Sequence, residues 1–199
     1  MSAASAPALV VLHAVRVLGY ASTERVIVRT GLEVGPVRAL LLQAQTAGQV
    51  TWTRFVDEGG WSLTEAGKAH GERMLAEEME TTGTRALLEE VVDEFGPLNT
   101  MVTSACSRWQ LTEMGLAQPP ADLEQVLDDL TSAADGLVGF EARLSARLAR
   151  FAGYHSRFSA AVDHARRNTA WISGTNRDSA HQVWFELHED LLATLGRQR

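Results

Sequence analysis

Cysteine occurs once in these 199 residues, at Cys106, and lysine once, at Lys68. A single thiol closes no intrachain disulfide, so burial must hold the fold, and a reducing cytoplasm is the expected home. Cys106 itself reads as a small buried apolar residue, with redox sensing as the alternative. Long apolar runs are missing too. Nothing approaches the length of a membrane span, so no membrane partner is expected. The apolar start at Ala8–Leu12 has no basic stretch before it and meets His13 and Arg16 directly after, which is unlike a signal peptide. Positive charge is scarce: 18 Lys and Arg stand against 25 Asp and Glu, a net charge of −7. A general nucleic-acid coat does not carry that balance. Motifs of chemistry are also absent. There is no Gly-rich phosphate loop, no Gly-x-Ser-x-Gly elbow and no Cys–His signature, so neither an enzyme nor a cofactor is expected. His181 and His188 stand two helical turns apart, farther than the one-turn pair with which a helix chelates an ion, so no metal site is expected either.

What remains is an ordinary globular composition, 45% apolar and 22% charged, in a chain long enough for one large domain or two small ones. Charge is spread unevenly. Residues 8–76 carry seven basic and six acidic side chains, whereas 81–199 carry eleven and sixteen.

The most informative stretch is Ser22 to Gly67. Ser22 or Thr23 caps a short helix. Gly31 sits where the chain must turn sharply, and Pro36 suits the first turn of the next helix, where its missing N–H is not needed. In that helix Val37, Leu41 and Ala44 make one buried stripe, and Gly48 ends it. Val50–Val56 alternates β-branched and aromatic residues. Asp57-Glu58-Gly59-Gly60 supplies a turn, Trp61-Ser62-Leu63 a returning strand, and Thr64 the cap of another helix. A helix over Ala8–Leu18 precedes all of this.

This order resembles a winged helix-turn-helix, the DNA-reading module of bacterial regulators of the MarR and PadR sort. The resemblance rests on TGLEVGPVRALLLQAQTAGQVTW and on the Leu-Thr-x-x-Gly exit in WSLTEAGKA, within residues 8–80. It implies a mainly α fold, a two-stranded wing, and a transcriptional regulator that binds double-stranded DNA as a homodimer. The second helix of the motif would then present Pro36, Arg38, Ala39 and Gln43 outward. Arg38 can take guanine through two hydrogen bonds, and Gln43 can read adenine or hold phosphate. Arg25 and Arg29 on the preceding helix, with Arg54 in the wing, are the phosphate candidates. Asp57 and Glu58 at the wing tip oppose phosphate. A winged helix that contacts a protein, as an accessory subunit, is therefore the alternative.

Thr81–Thr84 is the expected boundary, and 84–199 reads as a helical dimerisation domain. Expected helices cover Arg85–Phe95, broken by Gly96-Pro97, then Leu98–Leu111, and one that Asp122 caps. The longest is Phe140–Arg167, on a seam of Leu144, Leu148, Phe151, Phe158 and Val162. Arg143, Arg147, Arg150 and Arg157 flank that seam. They are expected to pair with Asp128, Asp129 or Asp135, the alternative being an acidic effector. A last helix opens on the capping box Ser179-x-x-Gln182, ends at Gly196 and is apolar on nearly every side. Trp109, Tyr154, His155, Trp171, His181, Trp184 and His188 have two readings. They line a pocket for a small-molecule effector, or they are core tryptophans with satisfied histidines.

Overall fold

The computed structural model describes residues 4–55 and 58–197, with the side chains of Phe55 and Glu58 left aside. It is mainly helical with one two-stranded antiparallel sheet. The chain divides into two compact units: residues 4–85 with 189–197, and residues 86–188. Among the described residues no helix is long and apolar enough to cross a membrane.

In the first unit α1 (Pro7–Leu18), α2 (Thr23–Thr30) and α3 (Val34–Thr46) lead into β1 (Val50–Phe55), β2 (Glu58–Leu63) and α4 (Glu65–Thr82). Most local reasons are those in the sequence, but the turn expected over residues 57–60 is corrected: Glu58, Gly59 and Gly60 already pair in β2. The Ser22 hydroxyl accepts from the Arg25 amide at 3.2 Å and caps α2. Gly31 ends it at φ 64°, which an L side chain rarely adopts. Pro36 falls in the first turn of α3. The strands pair from Val50↔Leu63 through Trp52↔Trp61 to Phe55↔Glu58, and the Trp52 and Trp61 rings meet edge to face at 4.9 Å. The hairpin is latched to the helices: Ala21 and Trp61 exchange backbone hydrogen bonds, and Trp61 Nε1 donates to Thr23 Oγ1 at 3.0 Å. Val15, Val26, Val37, Leu41 and Val50 form the centre of the core, each no more than 2% exposed.

The second unit contains α5 (Arg85–Glu113), α6 (Leu123–Ser145), α7 (Tyr154–Ala165), the short α8 (Ala170–Ser173) and the start of α9 (Ala180–Leu195). Two expectations are corrected here. The break at Gly96-Pro97 does not occur, because α5 runs through Pro97 as one helix. A proline inside a helix costs about 3 kcal/mol. The buried stripe Leu88, Val91, Phe95, Val102, Ala105 continues at helical spacing across it, and burying five such side chains outweighs that cost. Conversely, the expected Phe140–Arg167 helix is not continuous. α6 stops at Ser145, a 3-10 turn spans Ala149–Phe151, and Gly153 at φ 95° reverses the chain into α7. Glu141 fixes the turn by accepting from the amides of Gly153 at 2.9 Å and His155 at 2.6 Å. The seam residues Leu144, Leu148, Phe151, Phe158 and Val162 are buried as expected, but they fall on α6, the linking turn and α7 rather than on one helix.

The end of the chain follows its signals. Ser179 Oγ accepts from the Gln182 amide at 3.3 Å, and α9 ends before Gly196. Residues 180–188 of α9 belong to the second unit and 189–195 to the first.

Candidate functional site

α3 presents an uncovered face. Val37 and Leu41 point inward and are at most 1% exposed, while Pro36, Arg38, Ala39, Leu42, Gln43 and Thr46 are exposed. Five helical positions rotate a side chain by about 140°, so Arg38 and Gln43 lie on opposite flanks of this face, with Ala39 and Leu42 between them. Gln43 leans to the α1 side, where it lines a small cavity with Leu40 and Ala44. Arg54 on β1 is exposed as well. Asp57 lies outside the described residues, and Glu58 is described through its backbone alone.

The two arginines on α2 differ. Arg25 is half-buried. Arg29 is turned inward: its side chain is 14% exposed and its Nη2 is 3.8 Å from Oδ2 of the fully buried Asp190. This takes Arg29 out of the set that offers charge to phosphate.

Asp190 centres a buried polar network inside the first unit. Its Oδ1 is 2.9 Å from His13 Nε2 and accepts from Thr194 Oγ1 at 3.3 Å. Beside it Arg16 bridges Glu189 at 2.9 Å and Glu72 at 3.1 Å. Sequence reasoning overlooked Asp190. Glu186, Asp190 and Thr194 recur at four-residue steps on a helix whose other buried residues are apolar, and each is at most 1% exposed.

In the second unit the aromatic and histidine candidates are distributed over several local contacts. Trp184 is buried, stacked on Phe95 at 4.8 Å, and donates to Asn99 Oδ1 at 3.0 Å. His188 tilts against the same Phe95 at 5.6 Å. Tyr154 is buried with the Arg157 guanidinium 5.9 Å from its ring centre. Trp171 packs between His164 at 4.5 Å and Arg177 at 5.4 Å. His181 lies 6.5 Å from Phe185, and His155 is half-buried at the start of α7. Trp109, on α5, has a buried Nε1 with no hydrogen-bond partner. Trp184, His188 and Phe95 form one cluster.

Arg143 and Arg157 of the arginine stripe pair with acids other than Asp128, Asp129 and Asp135. Arg143 bridges Glu90 at 3.0 Å and Glu94 at 2.8 Å on α5, and this contact lowers the pKa of Glu94 and raises that of Arg143. Arg157 bridges Asp178 at 3.0 Å and the buried Glu186 at 2.8 Å. Asp129 pairs with Arg108 instead.

Cys106 is 1% exposed, and burial pushes its thiol up to about 12. A thiol with a higher pKa folded than unfolded keeps its proton in the native state while the unfolded chain loses it. Stability therefore falls as pH rises through the interval between the ordinary thiol value and about 12. Between pH 9 and 10 the expected loss is about 1 kcal/mol, read as a lower urea midpoint. Cys106→Ala should remove that slope; an unchanged slope in the variant would assign it to other groups.

Among the described residues no three His, Cys, Asp or Glu side chains gather as a metal site would require. Comparison with known proteins adds no relative. No family model matches the chain, and no curated protein or solved structure is similar to it.

Proposed function

We propose that residues 8–80 are a winged helix-turn-helix and that the chain is a DNA-binding transcriptional regulator. α3 is then the recognition helix, and β1 and β2 are the wing. The observation that carries the reading is the exposed face of α3, a helix held by Val37 and Leu41 with Arg38, Ala39 and Thr46 left open to solvent. Such a helix fits the major groove, with Arg38 directed at guanine and Arg54 reaching the backbone from the wing. Residues 84–199 would carry dimerisation, so that two heads meet two half-sites of a roughly palindromic operator. Any effector held there would act by favouring one spacing of the heads.

A second reading has its own support. Val28 is 80% exposed, Leu42 58% and Val34 45%. Arg38 is the one cation of α3, and the acidic Glu33 precedes the helix. An apolar face of that kind suits a protein partner.

Fluorescence anisotropy with DNA fragments from around the protein's own gene, at two salt concentrations, separates the two. A DNA regulator binds with an affinity that falls steeply with salt. Arg38→Ala should then weaken binding by about 10- to 100-fold, the value of one bidentate base contact. No binding to any fragment at low salt would remove the DNA reading and leave the protein-contact one.

A further inference from the structure

We infer that the cavity between α1, α3 and α4 binds a neutral single-ring molecule carrying one hydrogen-bonding oxygen. The inference stands whether or not α3 reads DNA, and it moves the expected small-molecule site from the second unit to the first. The cavity holds about 200 Å³. That is somewhat above the roughly 150 Å³ of an apolar cavity that takes up benzene, and below the roughly 300 Å³ at which pockets begin to hold drug-sized ligands. One ring fills it.

The walls set the chemistry. The floor is Val11, Leu12, Leu41 and Val50, all buried, which offers an apolar seat. One side is polar, with Gln43, Gln49 and His70. Arg73 Nη2 lies 3.1 Å from His70 Nδ1. A guanidinium only donates, so Nδ1 is the acceptor, and the proton of the neutral ring sits on Nε2. His70 therefore has an N–H, and the two glutamine amides can both donate and accept. A polar side of that kind beside an apolar seat suits one hydrogen-bonding group on an apolar ring. Among the described residues no Lys, Arg, Asp or Glu side chain lines the cavity, so a carboxylate or an ammonium would be buried there without a countercharge in the lining, which is costly. The occupant is neutral. It would touch α3 directly through Leu40 and Ala44.

Benzyl alcohol is the probe, titrated into the full isotope-labelled chain and followed by methyl and amide chemical shifts. The expected result is saturable shifts at Leu40, Ala44 and Met74, with the residues around Trp184 unmoved. Toluene, which lacks the oxygen, should bind about fivefold more weakly, the value of one lost hydrogen bond. Benzoate should not bind. Ala44→Phe fills the cavity and should abolish the shifts. Should that variant fail to fold, Ala47→Leu narrows the mouth from an exposed position and should weaken binding several-fold. Shifts that do not saturate, that scatter over both units, or that persist unchanged in the folded Ala44→Phe or Ala47→Leu chain overturn the site. Benzoate binding as tightly as benzyl alcohol overturns the neutral class.

Discussion

Asp190→Ala should destabilise the first unit by about 3–5 kcal/mol, the range for a buried ion pair that loses one partner. The carboxylate is fully buried, and His13, 5% exposed at its side chain, meets it at 2.9 Å. Arg29 faces its other oxygen, and the Thr194 hydroxyl donates to it. Removing the carboxylate leaves an imidazole and a guanidinium in a space built around an anion, with little access to water. The effect should fall on α1 and α2, which carry His13 and Arg29. Hydrogen exchange of their amides under increasing urea is therefore the measurement, and a loss below about 1 kcal/mol would contradict the assignment. Glu189→Ala is the contrast. Its side chain is 21% exposed, and its ion pair with Arg16 is reachable by solvent, so about 1 kcal/mol is expected. A His13→Leu/Arg29→Leu/Asp190→Leu triple variant should recover most of the loss, because apolar residues that replace every member of a buried charged group do so at little net cost.

The same network shows what the sequence could and could not tell. Helix starts and stops were legible because they depend on neighbours: Ser22, Pro36, Gly31, Thr64 and Ser179 act where local rules put them. Burial along the Leu144–Val162 seam was legible for the same reason, being a matter of spacing. Continuity was not. Whether Pro97 interrupts a helix depends on how much the stripe on both sides of it buries, and whether Gly153 bends one depends on Glu141 reaching the Gly153 and His155 amides. Both are tertiary facts. On the candidate site, Arg38 stood out as an exposed position beside an inward stripe, and it is exposed. Arg29 misled, because its partner Asp190 lies 161 positions along the chain and no local pattern joins them. Gln43 was assigned an outward role from periodicity alone; periodicity cannot say that the flank it occupies borders a cavity.

Gly67→Ala should cost about 3 kcal/mol, the upper part of the range for forcing a methyl into a packed site. Gly67 lies in the first turn of α4, and a Cβ there would collide with the backbone carbonyl of Gln49. That carbonyl is not free to move. It accepts from the Thr64 amide at 3.0 Å and from the Thr64 hydroxyl at 3.1 Å, while the same hydroxyl accepts from the Gly67 amide at 3.0 Å. Gln49 immediately precedes β1 and Thr64 immediately follows β2, so this joint ties together the two ends of the hairpin. A methyl at 67 must therefore shift backbone, and backbone held by several hydrogen bonds relaxes little. The readout is the near-ultraviolet circular dichroism of the Trp52–Trp61 pair, whose edge-to-face geometry at 4.9 Å reports the hairpin. It should weaken together with the urea midpoint. Gly35→Ala in α3 is the matched control in the same unit. A Cβ there meets nothing within 4 Å, so the change only removes freedom from the unfolded chain and should stabilise by about 0.5–1 kcal/mol. If both substitutions stabilise, helix propensity rather than the Gln49 contact governs these glycines, and the steric account of the α4 start is wrong.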